Sequence, residues 1–220
     1  MKTLLAAAVA MAFLTTASRA AILITEVDPS GSGATYGADW FELTNTGPLA
    51  VDISGWKMDD NSNLFANAVA IRGVTSITPG ASVVFAEGDA TGTTDATIMS
   101  KFITAWFGGS APAGFTMGFY GGTSVGLSST TDAVNVFDSA GNVVARVDFG
   151  VATANVSFDN STGLNNVGIS TLSVAGTKGA FTAPSGEVGS PGTIANAVPE
   201  PASLALLGLG ALALVARRKR

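Results

Sequence analysis

No cysteine and no histidine occur anywhere in the chain. The first absence rules out disulfides, so the fold must be held by apolar burial and β-ladder hydrogen bonds. The second removes imidazole as base, acid or metal ligand. Basic residues are scarce as well. Between residues 21 and 196 only Lys57, Arg72, Lys101, Arg146 and Lys178 stand against fifteen Asp and Glu, a net charge of −10. Nucleic-acid binding depends on Lys and Arg neutralising phosphates, so a nucleic-acid partner is excluded. There is also no repeat of fixed period.

Long apolar runs are confined to the two ends. Lys2 precedes Leu4 to Leu14, and Ser18-Arg19-Ala20 follows. Eleven residues span only about 16 Å as a helix, against ~30 Å for a hydrocarbon core. Residues 1–20 therefore read as a signal peptide, cut by signal peptidase after Ala20. At the other end, Val198-Pro199-Glu200-Pro201 leads into Leu204 to Ala216, and Arg217, Arg218, Lys219 and Arg220 close the chain. Six leucines favour insertion by roughly 3 kcal/mol, and the basic residues hold that end in the cytoplasm. A short transmembrane helix is predicted over 202–216, about 22 Å long. This arrangement resembles a PEP-CTERM sorting signal. The resemblance implies a sorting motif at Pro199, Glu200 and Pro201 with a basic stop at 217–220. It also implies processing by an exosortase-type membrane enzyme, in a Gram-negative bacterium that makes extracellular polysaccharide.

Residues 21–192, followed by a linker at 193–198, are long enough for one domain with its own core. Short apolar stretches alternate with turn residues, the pattern of a mainly β protein with many short strands in a sandwich. Strand-like runs are Ile22 to Val27, Asp39 to Asn45, Ala50 to Trp56 and Ser82 to Glu87. In the second, Phe41 and Leu43 share one face while Trp40, Glu42 and Thr44 share the other. Ala133 to Phe137 and Asn142 to Phe149 flank Asp138 to Gly141 as a hairpin. Asp95 to Phe107 departs from this pattern: Ile98, Met99, Phe102, Ile103, Trp106 and Phe107 recur at helical spacing. The spacing predicts one amphipathic helix, with Thr94 as N-cap and Gly108-Gly109 as stop, either covering an open end or edge of the sandwich or serving as a binding helix. After Val151 the chain is polar, Gly-rich and weakly patterned.

Glu26-Val27-Asp28, then Asp39 to Asn45, then Val51-Asp52-Ile53-Ser54-Gly55-Trp56-Lys57-Met58-Asp59-Asp60 resemble the lamin tail domain family. Ile77-Thr78-Pro79-Gly80 and the Ala133 to Phe149 hairpin extend the similarity over roughly 22–150. The resemblance implies an immunoglobulin-like β-sandwich, here with one inserted helix, and fixes no function. Gly55 suggests a bend or a bulge where a side chain would collide, and Asn45 suits closing a turn through its side chain.

Candidate chemistry is sparse. Gly122-Thr123-Ser124-Val125-Gly126 matches G-x-S-x-G in spacing, but that motif needs a histidine. Ser54 and Lys57 match S-x-x-K, outside the helix start that this chemistry uses. Glu26 and Glu42 could approach each other across adjacent strands as a hydrolytic pair, although solvated faces are expected. Asp59, Asn61 and Asn63 open like a calcium loop, with Leu64 and Ala70 where Gly and Glu would continue it. Asn155 and Asn160 begin glycosylation sequons.

The expected function is that of an exported, non-catalytic surface or matrix protein without a required cofactor. Its role would be structural or adhesive in an exopolysaccharide or biofilm layer. A carbohydrate-binding module is the alternative, with Tyr36, Trp40 and Tyr120 as its exposed aromatics. A hydrolase that uses carboxylates alone is the second.

Overall fold

The computed structural model describes residues 22–122 and 125–193. The signal peptide, Ser124 of the G-x-S-x-G match, residues 194–198, the sorting motif and the expected helix at 202–216 lie outside the described residues.

In chain order the elements are β1 (Ile22–Asp28), β2 (Trp40–Asn45), β3 (Val51–Asp52), β4 (Lys57–Asp59), β5 (Val69–Ala70), β6 (Ser76–Ile77) and β7 (Ser82–Glu87). There follow α1 (Asp95–Phe107), β8 (Met117–Tyr120), β9 (Asp132–Phe137), β10 (Val143–Phe149), β11 (Phe158–Asp159), β12 (Val167–Ile169), β13 (Phe181–Thr182) and β14 (Val188–Gly189). Two five-stranded sheets form, in the orders β11-β1-β2-β7-β8 and β12-β10-β9-β4-β5, with the short pairs β3-β6 and β13-β14 beside them. Phe41, Leu43 and Phe85 of the first sheet join Met58, Val134 and Val147 of the second in one buried cluster. Each such side chain contributes about 1.5–3 kcal/mol when removed from water. Among the described residues the fold is mainly β, two facing sheets with one α-helix. Among the described residues no helix is long and apolar enough to cross a membrane.

The run from Ala50 to Trp56 is shorter as a strand than its alternation suggests. Only Val51–Asp52 pairs, with Ser76–Ile77. Gly55 sits at φ 74 and the Trp56 N–H closes onto the Ile53 carbonyl, a turn that only a residue without Cβ adopts freely. Asn45 closes its turn as expected: its Nδ2 donates to the Leu49 and Ile77 carbonyls, and its Oδ1 accepts from the Gly47 N–H.

Helix α1 occupies the predicted residues but a different place. It covers the outer face of the first sheet, not an end or edge. Ile98, Phe102, Ala105 and Trp106 pack on Trp40, Val84, Ala86 and Phe119. The reason is topological. β7 and β8 are parallel, and a parallel pair needs a crossover long enough to return the chain to the same edge, usually a helix packed on the sheet. The Thr94 side chain does not cap the helix; its Oγ1 accepts from the Asp89 N–H. Asp95 in the first turn is instead gripped by Arg72, through Nε at 2.8 Å and Nη2 at 2.7 Å. At the other end the Gly108 N–H reaches the Thr104 carbonyl and the Gly109 N–H reaches Ile103, the double bond of a glycine-terminated helix.

Candidate functional site

Two buried polar clusters stand out, one on the outer face of each sheet.

The first is a pair of glutamates. β1 and β2 run antiparallel with Glu26 directly opposite Glu42, just after a register shift between Ile24 and Glu26. A bulge at such a point re-aims the side chains beyond it. Solvated carboxylates were expected here; both residues are instead 1% exposed. The covering layer is the C-terminal segment. The Ser190 N–H donates to Glu26 Oε1 at 2.8 Å, and Ser190 Oγ donates to Oε2 at 2.8 Å. Ser157 Oγ donates to Glu26 Oε1 as well. The Gly192 N–H reaches Glu42 Oε2 at 2.7 Å, and Thr25 Oγ1 donates to Glu42 Oε1 at 2.6 Å. Gly189 makes the approach possible, since a Cβ there would lie 2.6 Å from Glu26 Oε1 and 2.9 Å from the Trp106 ring.

All four carboxylate oxygens are therefore taken by protein donors away from solvent. Burial raises the pKa of Glu26 to about 7 against the pull of its serine donors. Burial, followed by the charge of Glu26, raises Glu42 to about 8. The two titrate as a unit that holds a proton near neutral pH. Such a pair can fasten a segment, but it presents neither carboxylate to a substrate, so it is not the hydrolytic pair that the sequence allowed.

Nearby, Tyr36 Oη donates to Glu187 Oε1 at 2.6 Å and accepts from Trp40 Nε1 at 3.2 Å. Tyr36, Trp40 and Tyr120 are 2%, 0% and 0% exposed. This corrects the sugar-binding expectation: the three aromatics that were to form an exposed platform are core residues. Trp40 meets Trp106 and Phe102 edge-on, at 5.7 and 5.9 Å between centroids, a favoured aromatic geometry.

The second cluster surrounds the turn after β4. Asp59 is wholly buried and pairs across the ladder with Asn135 of β9. Its Oδ2 accepts from Ser62 Oγ at 2.6 Å and from the Leu64 N–H at 2.8 Å. Asn63 holds a left-handed backbone, φ 51. Asn61 stands apart: it is exposed, and its N–H donates to Asp132 Oδ1 at 2.9 Å. Among the described residues no three acidic side chains gather as a metal cluster.

The remaining sequence candidates separate. Ser54 is exposed, and Lys57 Nζ lies 4.7 Å from the Phe65 ring centroid, where it makes a cation–π contact. Asn155 is exposed. Asn160 is buried and spends its Nδ2 on the Ile24 and Leu164 carbonyls, so that sequon has no free amide to glycosylate. Sequence reasoning missed Ser157, Ser190, Gly192 and Asn135, which have no motif of their own. Only the alternation of β9, with Val134 and Val136 inward, marked Asn135 as an outer-face residue.

Comparison with known proteins agrees with this architecture. Residues 197–220 match the PEP-CTERM protein-sorting motif, which points to an exported protein sorted through exosortase to the cell surface. No curated protein matches the chain. Residues 15–150 match the model of the Lamin Tail Domain, more than half of the chain, with both facing sheets built largely from that span. The chain belongs to the lamin tail domain family.

Proposed function

We infer that this protein is a non-catalytic surface or matrix component whose sandwich is delivered outside the cell and then freed from a temporary tail. Signal peptidase removes residues 1–20. The domain extends over 21–192, a linker follows at 193–198, and Pro199-Glu200-Pro201 with the 202–216 helix and the basic residues 217–220 holds the protein at the inner membrane until exosortase acts. The observation that carries this reading is the position of the carboxylate pair. Glu26 and Glu42 fasten Ser190 and Gly192 into the sheet, and the residues matching the sorting motif begin at 197. A tether of a few residues thus separates a closed domain from its processing site, and cleavage there leaves the fold untouched. With its aromatics buried and its surface acidic, the sandwich serves as a structural or adhesive unit in a layer of extracellular polysaccharide, in a Gram-negative cell.

The test is expression in an exosortase-bearing host beside a variant lacking residues 199–220. The full chain is expected in the membrane fraction before processing, and at the surface in a shortened form afterwards. The truncated chain is expected as soluble exported protein. Membrane retention of the truncated chain, or identical mass of the full chain with and without exosortase, defeats the reading.

A further inference from the structure

We propose that the turn after β4 binds a hard divalent cation, of the calcium class, through Asp59 Oδ1, Asn63 Oδ1 and Asn135 Oδ1. These three oxygens are buried and have no hydrogen-bond partner. Asp59 and Asn135 are themselves 0% exposed. Their ladder pairing sets the two side chains opposite each other on the outer face, since the alternate residues Met58, Val134 and Val136 point into the core. Asn63 belongs to the same turn, flanked by Ser62 and Leu64, whose donors hold the other oxygen of Asp59.

The orientation of Asn135 is not arbitrary. Its Nδ2 donates to the Asp60 carbonyl, so its Oδ1 is the atom left over; a flipped amide would set two acceptors against each other.

Each buried acceptor without a donor bears its full desolvation penalty, and three together demand an occupant. The neighbouring cations are engaged elsewhere. Lys57 sits on Phe65. Arg146, across the ladder from Asn135, donates to Asp148 at 2.7 Å. One water has two protons and satisfies two acceptors at most. A cation satisfies all three.

The donor set selects its class. One carboxylate and two amide carbonyls, with no nitrogen or sulfur ligand, suit a hard ion of flexible coordination, whereas zinc and its relatives need imidazole or thiolate. Asp60, next to Asp59 in the chain, and Asp132, which accepts from the Asn61 N–H, add negative charge around the turn. With a single carboxylate in direct contact, the affinity falls in the ~10⁻⁴–10⁻³ M range of extracellular calcium modules. Relative to the D-x-N-x-N spacing, Asn61 leaves the ligand set and Asn135 enters it from another strand.

The test is calorimetry and thermal denaturation of the purified protein after treatment with chelator, titrated with calcium chloride and, separately, magnesium chloride. Calcium is expected to bind and to raise Tm at concentrations above ~10⁻³ M, with magnesium much weaker. Asn63→Gly keeps the left-handed backbone and deletes one ligand. It is expected to lower calcium affinity at least about tenfold while leaving the calcium-free Tm nearly unchanged. No heat and no Tm rise at about 10 mM calcium, well beyond that affinity range, overturns the proposal and leaves ordered water as the occupant. An equal Tm rise in Asn63→Gly overturns it too, because the ion then binds elsewhere.

Discussion

The two sheets share one core but differ in what lies behind them. The outer face of the first is sealed, by α1 over β2, β7 and β8 and by the C-terminal segment over Glu26 and Glu42. The outer face of the second is largely open along β10, where Arg146 and Asp148 are partly exposed, and is covered only near β4 and β9, where Phe65 meets Phe137 at 5.7 Å. A strand with water on one side can carry polar residues there at no cost. A strand covered on both sides must pair every polar group it carries. That difference decides what a substitution does in each sheet.

The largest effect is expected where the seal is apolar. Phe102 is wholly buried between the helix and the first sheet, so Phe102→Ala should cost about 3–5 kcal/mol, read as a drop in the denaturant midpoint. Val143→Ala, at an exposed position of β10, should change it by less than about 0.5 kcal/mol. Equal losses at the two positions would mean that the helix does not seal the sheet.

The polar part of the seal is next in size, and it is pH-dependent. Folding raises both glutamate pKa values above the ordinary 4.5, to about 7 and about 8. A carboxyl with a raised folded pKa favours folding in its protonated form. Its contribution is therefore complete below pH 4.5 and is lost as pH rises through about 8. Stability should fall by on the order of a few kcal/mol across that window, in contrast to the usual behaviour of exposed acids. Glu42→Gln removes one ionisation while keeping an acceptor for Gly192 and a group for Thr25. It should flatten the Tm profile above pH 6 and make the variant the more stable protein at pH 9. A profile as steep as that of the native chain would refute the assignment.

Ser190→Ala isolates the clamp itself. It leaves Glu26 Oε2 without its 2.8 Å donor, which should cost about 1–3 kcal/mol. The loss should concentrate locally: protease cleavage within 188–193 should accelerate more than cleavage in the hairpin of β9 and β10. Uniform acceleration would show that the segment opens only with the whole domain.

The same contrast explains how far the sequence was legible. The hairpin, the helix limits, the turn at Asn45 and the bend at Gly55 follow local rules, and these were readable because neighbours in sequence decide them. The covering of the first sheet was not. Trp40, Glu42 and Thr44 alternate with Phe41 and Leu43 just as a half-exposed strand would, and nothing local shows that a segment some 150 residues later will lie on them. The weakly patterned stretch after Val151 concealed that segment, because its contribution is made through backbone N–H groups and serine hydroxyls and not through apolar periodicity. Tyr36, tied down by Glu187 of that segment, was misplaced for the same reason, whereas Tyr120 packs on Phe41 in the core between the sheets. The turn at Asp59 was half legible: its own residues carry the D-x-N-x-N spacing, while Asn135 is brought in by a ladder 76 positions further along.

The smallest effect belongs to the open face. Arg146 and Asp148 form an ion pair at 2.7 Å with side chains 27% and 45% exposed. Water screens the charges and competes for both partners, so Asp148→Asn should cost at most about 1 kcal/mol, and less at high salt. The informative outcome is its sign in the presence of calcium. Freed from Asp148, Arg146 can turn toward Asn135, its neighbour across the ladder, and supply the donor that Asn135 Oδ1 lacks. Asp148→Asn should therefore weaken calcium binding while barely altering the calcium-free midpoint. An unchanged affinity would mean that Arg146 cannot reach the turn, and that the open face of the second sheet is independent of its one closed corner.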